Sequence, residues 1–237
     1  EEARQRDAKF RSTSAVAALH EKARAVFTDL AKTGEGGEML LFLLAERFLG
    51  FPHVLCKMDL KTDSRMHYHG ADGVYASVAD DGKLKLFWGE SKVYKDPTDA
   101  IRDCLNSLAP FLIEEDHLES SRERDLVLLS DKADLGDPEL SAAFRRFFDT
   151  SSPLSNRVEY CGVALVGFEA DFYPDDDGLG VLEDMVKAAK ERFVGWSKSV
   201  GRRLTEEKLQ HFDIHFLCLP VPSVDKFREA FLDAMGR

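Results

Sequence analysis

The sequence predicts a single α/β domain in which helices flank a central mixed sheet. Strand-like and helix-like segments alternate through the second half of the chain. Two β-rich segments, Gly73 to Ala79 and Lys83 to Tyr94, are separated by Asp80-Asp81-Gly82, which is a hairpin signal. The chain has 237 residues, of which 44% are apolar, and no repeat or Ser/Gly-rich linker divides it. One core is therefore expected, with residues 1–33 as a helical lead-in, 34–116 as the part that carries the site, and 117–237 as the remaining sheet and helices.

Helical spacing of apolar residues and the positions of Gly and Pro predict the first half of this series. The predicted elements are a helix from Ser14 to Lys32, a helix from Gly36 to Leu49, a strand from His53 to Leu60, the hairpin, and a helix from Pro97 to Glu115.

The second half is predicted by the same signals, with short apolar runs assigned to strands. The predicted elements are a strand from Leu126 to Leu129, a helix from Pro138 to Phe148, a strand from Arg157 to Phe168, a helix from Leu179 to Val200, a strand from His211 to Leu219, and a helix from Val224 to Met235.

Charge, cysteine usage and hydropathy exclude several functional classes. No apolar run approaches the ~18 residues that a membrane helix requires. With a net charge of -11, the chain lacks the overall positive field of a protein that binds nucleic acid without a partner. The four cysteines include no CxxC pair, and no signal peptide is visible, so reduced thiols in a cytoplasmic protein are expected. The run Asp175-Asp176-Asp177-Gly178 lacks the other ligands of a calcium loop and is interpreted as a solvated turn.

The predicted hairpin brings charged residues together at one end of the sheet. A turn centred on Asp81-Gly82 places Asp72 within one position of Glu90, with Cβ atoms ~5 to 8 Å apart. Lys92 shares the face of Glu90, because side chains alternate with period two along a strand. Each buried charge costs several kcal/mol unless it is paired or binds a metal.

A third acid is predicted to point inward from the second helix. Glu38 lies on the same stripe as Leu41, Phe42, Ala45 and Leu49. Three acids and one lysine at one sheet end form a site for Mg²⁺ or Mn²⁺. Such a site indicates phosphodiester hydrolysis, with Lys92 beside the metal to stabilise the nucleophile or the developing charge. The structural alternative is a simple ion pair between Glu90 and Lys92 at the strand end.

The order helix Glu, strand Asp, hairpin, Glu-x-Lys and helix resembles the PD-(D/E)xK nuclease core, a restriction-endonuclease-like fold. The chain is also similar to the HamA family of Hachiman anti-phage systems. The similarity is carried by GEGGEMLLFLLAERFLGFP (34–52), KMDLKTDSRMHYHGADGVYAS (57–77), LFWGESKVYKDPTDAI (86–101) and HFLCLPVPSVDKFREAF (215–231). Ala71 stands where the classical motif has proline, a departure that is common in the superfamily.

The resemblance implies a metal-dependent, largely sequence-nonspecific DNase that works with a helicase subunit, HamB, and is held inactive until DNA is sensed. Glu38, Asp72 and Glu90 would then be the metal-binding acids, with the backbone carbonyl of Ser91 as a further ligand, and Lys92 would be the catalytic lysine. Two alternatives stay open: a catalytically silent subunit that restrains a helicase, and the nuclease of a related two-gene defence system of the AbpA type.

Local positive charge near the motif predicts a short DNA-contacting rim inside the acidic chain. Such a stripe can position a strand on a few phosphates. Lys83 and Lys85 of the second β-rich segment are also expected to belong to this rim. The residues assigned to DNA contact are Lys57, Lys61, Arg65, His67, His69 and Lys95.

Overall fold

The computed structural model describes residues 5, 8–9, 34–56, 70–113, 121–130, 137–149, 151–152, 158–174 and 182–234. The predicted helix from Ser14 to Lys32 and the second half of the strand predicted from His53 to Leu60 lie outside these residues.

Five described strands form one sheet, in the order in which they occur along the chain. The pairs β1/β2 and β2/β3 are antiparallel, whereas β3/β4 and β4/β5 are parallel. The mixed sheet is therefore confirmed, with the hairpin as its antiparallel part. The strands are β1 (His53–Cys56), β2 (Gly73–Val78), β3 (Leu84–Val93), β4 (Val158–Glu169) and β5 (Ile214–Val221).

Six described helices surround the sheet, and the first continues into a π-helical turn, Ala45–Leu49, that ends at Gly50 with a positive φ. An Asp side chain caps the helices that start at Pro97 and Pro138 by accepting hydrogen bonds from their first turns. The helices are α1 (Glu35–Leu44), α2 (Pro97–Leu112), α3 (Ser121–Ser130), α4 (Pro138–Phe148), α5 (Leu182–Glu206) and α6 (Val224–Ala234).

The sheet separates two apolar cores. On one face, Leu41 and Ala45 from α1 and its π turn pack against Tyr75, Phe87 and Leu165. On the other face, α2, α3 and α4 cover the even-numbered residues of β3, with members such as Leu86, Trp88, Ile101, Cys104, Leu108, Leu129 and Phe144. This arrangement places α1 and α2 on opposite sides of the β3 end that carries the predicted site.

One predicted element is wrong: the run from Leu126 to Leu129 belongs to helix α3 and is not a strand. A run of four apolar residues does not distinguish a buried strand from a helix. The buried residues of α3 are Arg122, Asp125, Leu126 and Leu129, which follow helical spacing, whereas Val127 between them is 66% exposed. Asp125 anchors the helix by accepting a buried hydrogen bond from the Trp88 indole at 3.0 Å.

Within the described residues, the other predicted elements are present, and most of them have shifted ends. Helix α4 has the predicted bounds, and β3 and β4 differ from prediction by one residue at each end. Helix α5 continues six residues past the predicted end at Val200, and β5 begins three residues after the predicted start at His211. In the described part of the chain, no helix combines the length and the apolar character required to cross a bilayer.

An apolar groove of about 510 Å³ opens between the π turn, β5 and the first half of α5. Phe48 and Phe193 stand at its rim with 79% and 55% exposure. The second half of α5 is covered differently, because Trp196, Val200 and Leu204 pack on the core. The groove lies along β4 and β5, away from the hairpin that β2 and β3 form.

Two glycines differ in how much space surrounds them, and substituting each one measures how closely the sheet and its helices pack. A Cβ at Gly89 would lie 2.9 Å from the Tyr75 ring and 3.0 Å from Leu41, whereas a Cβ at Gly195 in α5 would meet nothing within 4 Å. We expect Gly89→Ala to lower the free energy of unfolding by about 1–3 kcal/mol through overpacking. Gly195→Ala is expected to raise it by about 0.5–1 kcal/mol, because alanine favours the helix. Urea unfolding measures both, and equal effects would contradict this description of the packing.

Candidate metal and catalytic site

The register of the hairpin brings Asp72 within one position of Glu90. Gly73 pairs with Gly89 and Val78 with Leu84, so the pairing continues without a shift along β2 and β3. The Asp72 backbone N–H donates to the Gly89 carbonyl at 3.0 Å, a bond that is offset by one residue from the regular ladder and keeps Asp72 next to Glu90. The predicted juxtaposition of the two acids is confirmed at this level.

Both acids are buried at the end of the sheet. Asp72 is 8% exposed and Glu90 is 5% exposed. One oxygen of Asp72, Oδ2, accepts hydrogen bonds from the Ser91 backbone N–H at 2.9 Å and from the Ser91 hydroxyl at 2.8 Å. Two donors on one oxygen define the orientation of the carboxylate.

Lys92 neutralises part of this negative charge. Its Nζ lies 3.1 Å from Glu90 Oε2, with only 23% of the lysine side chain exposed. Burial opposes the ammonium form, but the charges of Glu90 and Asp72 and the hydrogen bond to Glu90 outweigh it and raise the pKa of Lys92 above its ordinary value. Lys92 therefore remains a cation at neutral pH and is not a proton acceptor there.

Cys104 of α2 forms the floor beneath Glu90, a contact that the sequence did not indicate. Its thiol is fully buried and donates a hydrogen bond to the Glu90 carbonyl at 3.4 Å. Burial, followed by the charge of Glu90, raises the pKa of this thiol. Its place among the apolar positions of α2 gave no signal beyond core packing.

Helix α1 begins over the end of β3 and carries Glu38 at its flank. A Cβ at Gly37 would lie 3.1 Å from the Ser91 hydroxyl, so the helix backbone approaches the strand closely at this position. Glu38 is partly buried, and its Oε2 is shielded from solvent. Glu35, one turn earlier, is 3% exposed and is a buried acid that sequence reasoning missed, because the helix was expected to start after it.

The three predicted acids approach the same region, but the structure does not gather them to coordination distance. Among the described residues, the set of three potential ligands with donor atoms all within 4.8 Å of one another is Glu159, Cys161 and Asp213. That cluster lies at the opposite end of the sheet and already holds the Lys85 ammonium, 3.1 Å from Asp213 and 3.6 Å from Glu159. Burial raises the pKa of Cys161 to about 12, so this thiol is not a ready ligand.

Most residues assigned to DNA contact (Lys57, Lys61, Arg65, His67 and His69) lie outside the described residues. Lys95 is described: it is exposed and forms an ion pair with Asp225 at 2.7 Å. Lys83 and Lys85 lie at the beginning of β3, some seven to nine residues from Lys92, or roughly 23–30 Å at 3.3 Å per residue. They are therefore remote from the acids and do not form a rim around them.

The fold and the site define an α/β protein with a five-stranded mixed sheet and a buried cluster of two acids and a lysine where its antiparallel pair ends. The family model HamA matches residues 1–235 of the 237, and the chain belongs to this family. Membership associates the protein with Hachiman anti-phage defence. Comparison with curated proteins finds no match.

Removing the Lys92 charge is expected to make stability depend on the ionisation of Glu90. The native pKa of Lys92 is raised, so wild-type Lys92 keeps its charge, and its contribution, throughout pH 5–8. In Lys92→Met, Glu90 stays buried beside Asp72 without the ammonium, and its native pKa should rise above the unfolded value. The native state then binds more protons than the unfolded state, so stability falls as the pH rises.

Urea unfolding at pH 5, 6.5 and 8 tests this expectation. The stability deficit of Lys92→Met relative to wild type should grow with pH, by up to ~1.4 kcal/mol per unit. Lys187→Met removes an exposed lysine of α5 and should show no such trend. A deficit that is the same at all three pH values would contradict the assignment.

Proposed function

We propose that the protein is a metal-dependent DNA nuclease that acts as the effector of a Hachiman system together with a helicase. The observation that supports this proposal is the burial of Asp72 next to Glu90, with Lys92 paired to Glu90 on the same strand. A simple ion pair at a strand end needs one acid, whereas this strand end buries a second acid and orients it with two hydrogen bonds.

The donor set suits a hard divalent cation. Asp72 and Glu90 offer carboxylate oxygens of the kind that Mg²⁺ and Mn²⁺ prefer, the Ser91 carbonyl would be a further ligand, and Glu38 would bind directly or through water. When bound, such a cation neutralises the scissile phosphate and lowers the pKa of its water.

Lys92 would act by its charge. With a pKa above the ordinary lysine value, its ammonium is present at neutral pH and would stabilise the negative charge that develops on the phosphodiester during attack. Asp72 would be a fixed ligand, because Ser91 holds one of its oxygens.

The charge of the chain bears on how it meets DNA. The net charge is -11, and the described lysines Lys83, Lys85 and Lys95 each pair with a carboxylate. Because a protein gains affinity for DNA by neutralising phosphates, we infer weak unaided binding and delivery of DNA by a HamB-like helicase.

Neutralising the acid or the lysine should abolish cleavage. For Glu90→Gln and Lys92→Ala, we expect Mg²⁺-dependent plasmid degradation to fall at least ~100-fold, the typical cost of losing one preorganised charge stabiliser. Glu159→Gln, which changes an acid on the neighbouring strand at the far end of the sheet, is the matched control and should cleave normally. Undiminished cleavage by either site variant would refute the assignment of the active site to Glu90 and Lys92.

Dependence on the partner is tested by purifying the chain with the helicase encoded beside it. Linear, nicked and intact DNA are incubated with the complex and with the isolated chain, with and without ATP. We expect degradation by the complex and little by the isolated chain. If the complex forms but neither binds Mg²⁺ nor cuts any substrate, the protein is a regulatory subunit and not a nuclease.

A further inference from the structure

The residue between the two motif positions, Ser91, touches more of the site than its place in the pattern suggests. Its N–H and its hydroxyl both donate to Asp72 Oδ2, at 2.9 and 2.8 Å. Glu90 and Lys92 share the strand face of Leu86 and Trp88, which α2 covers, whereas the Ser91 side chain faces α1. There it meets Gly37. Asp72 therefore lies next to Glu90 while its carboxylate is held by a residue of the other face.

We propose that Ser91 is a positioning residue for the metal site, and that Gly37 is required because it lets α1 close over the Ser91 hydroxyl. The inference rests on the proposed function only in that the oriented Asp72 is taken to be a metal ligand. It assigns roles to two residues that are neither charged nor expected to touch the substrate.

The hydroxyl contributes something that the backbone donor alone does not. The Ser91 N–H is fixed by the strand, but a carboxylate with a single hydrogen bond can still rotate about it. The hydroxyl supplies a second direction to the same oxygen and leaves Asp72 one orientation. Ser91 is 5% exposed, so water has little access to replace it.

Gly37 couples this hydrogen bond to the third acid. A Cβ at this position would lie 3.1 Å from Ser91 Oγ, 3.1 Å from Val93 Cγ2 and 3.4 Å from Ser91 Cβ, so the helix or the hydroxyl would have to move. Glu38 follows Gly37 directly and would move with the helix. One contact thus positions Asp72 through a hydrogen bond and Glu38 through the helix backbone.

Direct titration of the 237-residue chain with Mn²⁺ tests the inference without relying on cleavage. We expect Ser91→Ala to weaken Mn²⁺ binding about 10- to 100-fold, as for loss of a hydrogen bond to a charged group, and Ser91→Thr, which keeps the hydroxyl, to bind within about threefold of wild type. The Mn²⁺ concentration that raises the unfolding temperature should shift by the same factor.

A pair of glycine variants keeps the test decisive if Ser91→Ala does not fold. Gly37→Ala should weaken Mn²⁺ binding at least about threefold, because its Cβ displaces the hydroxyl. Gly34→Ala lies at the same helix end, where an added Cβ meets nothing within 4 Å, and should bind as wild type does.

The outcomes separate this inference from the proposed function. If Glu90→Gln abolishes Mn²⁺ binding while Ser91→Ala and Gly37→Ala bind as wild type does, the positioning roles are wrong and the metal site stands. If the wild-type chain binds no Mn²⁺, both the metal site and the inference are overturned.

Discussion

The burial of two carboxylates beside one partly buried ammonium at the end of β3 is the constraint on which the rest of this structure depends. Charges removed from water need partners, and here the partners are adjacent residues of β3. The Lys92 ammonium offsets the charge of Glu90, and Ser91 donates two hydrogen bonds to one oxygen of Asp72. The Cys104 thiol donates a hydrogen bond to the Glu90 carbonyl. Helices α1 and α2 can close on both faces of the strand end because these groups are already matched.

The sequence predicted the sheet and the nearness of Asp72 to Glu90 because both follow from periodicity and turn chemistry. Alternation along the hairpin, together with Asp80-Asp81-Gly82, was enough to set Asp72 within one position of Glu90. Helix α3 was missed because its apolar run is as short as a strand, and its buried partners Arg122 and Asp125 are polar residues that a hydropathy pattern counts as exposed.

The features that could not be predicted are those created by long-range packing. Cys104 meets Glu90, and Gly37 meets Ser91, only once the helices are folded onto the sheet. The prediction that Lys83 and Lys85 form a basic rim around the acids is wrong for a different reason. Counting charges along a strand ignores its length, and Lys83 and Lys85 pair with carboxylates at the far end. The metal-binding and catalytic roles of Glu38, Asp72, Glu90, Ser91 and Lys92, and the roles of the DNA-contacting residues, stay predictions.

The exposed turn of the hairpin, residues 79–83, is closed by hydrogen bonds from Gly82 N–H to the Ala79 carbonyl and from Ala79 N–H to the Lys83 carbonyl, with Gly82 at a φ of 78°. Its first residue lies seven positions from Asp72, roughly 23 Å away at 3.3 Å per residue. Nevertheless, an insertion or deletion of one residue there would shift the pairing and set Asp72 against the neighbours of Glu90. The length of this surface turn therefore matters to the distant acids, and Gly82 is restricted by its positive φ, whereas the other exposed residues of the turn are free to vary.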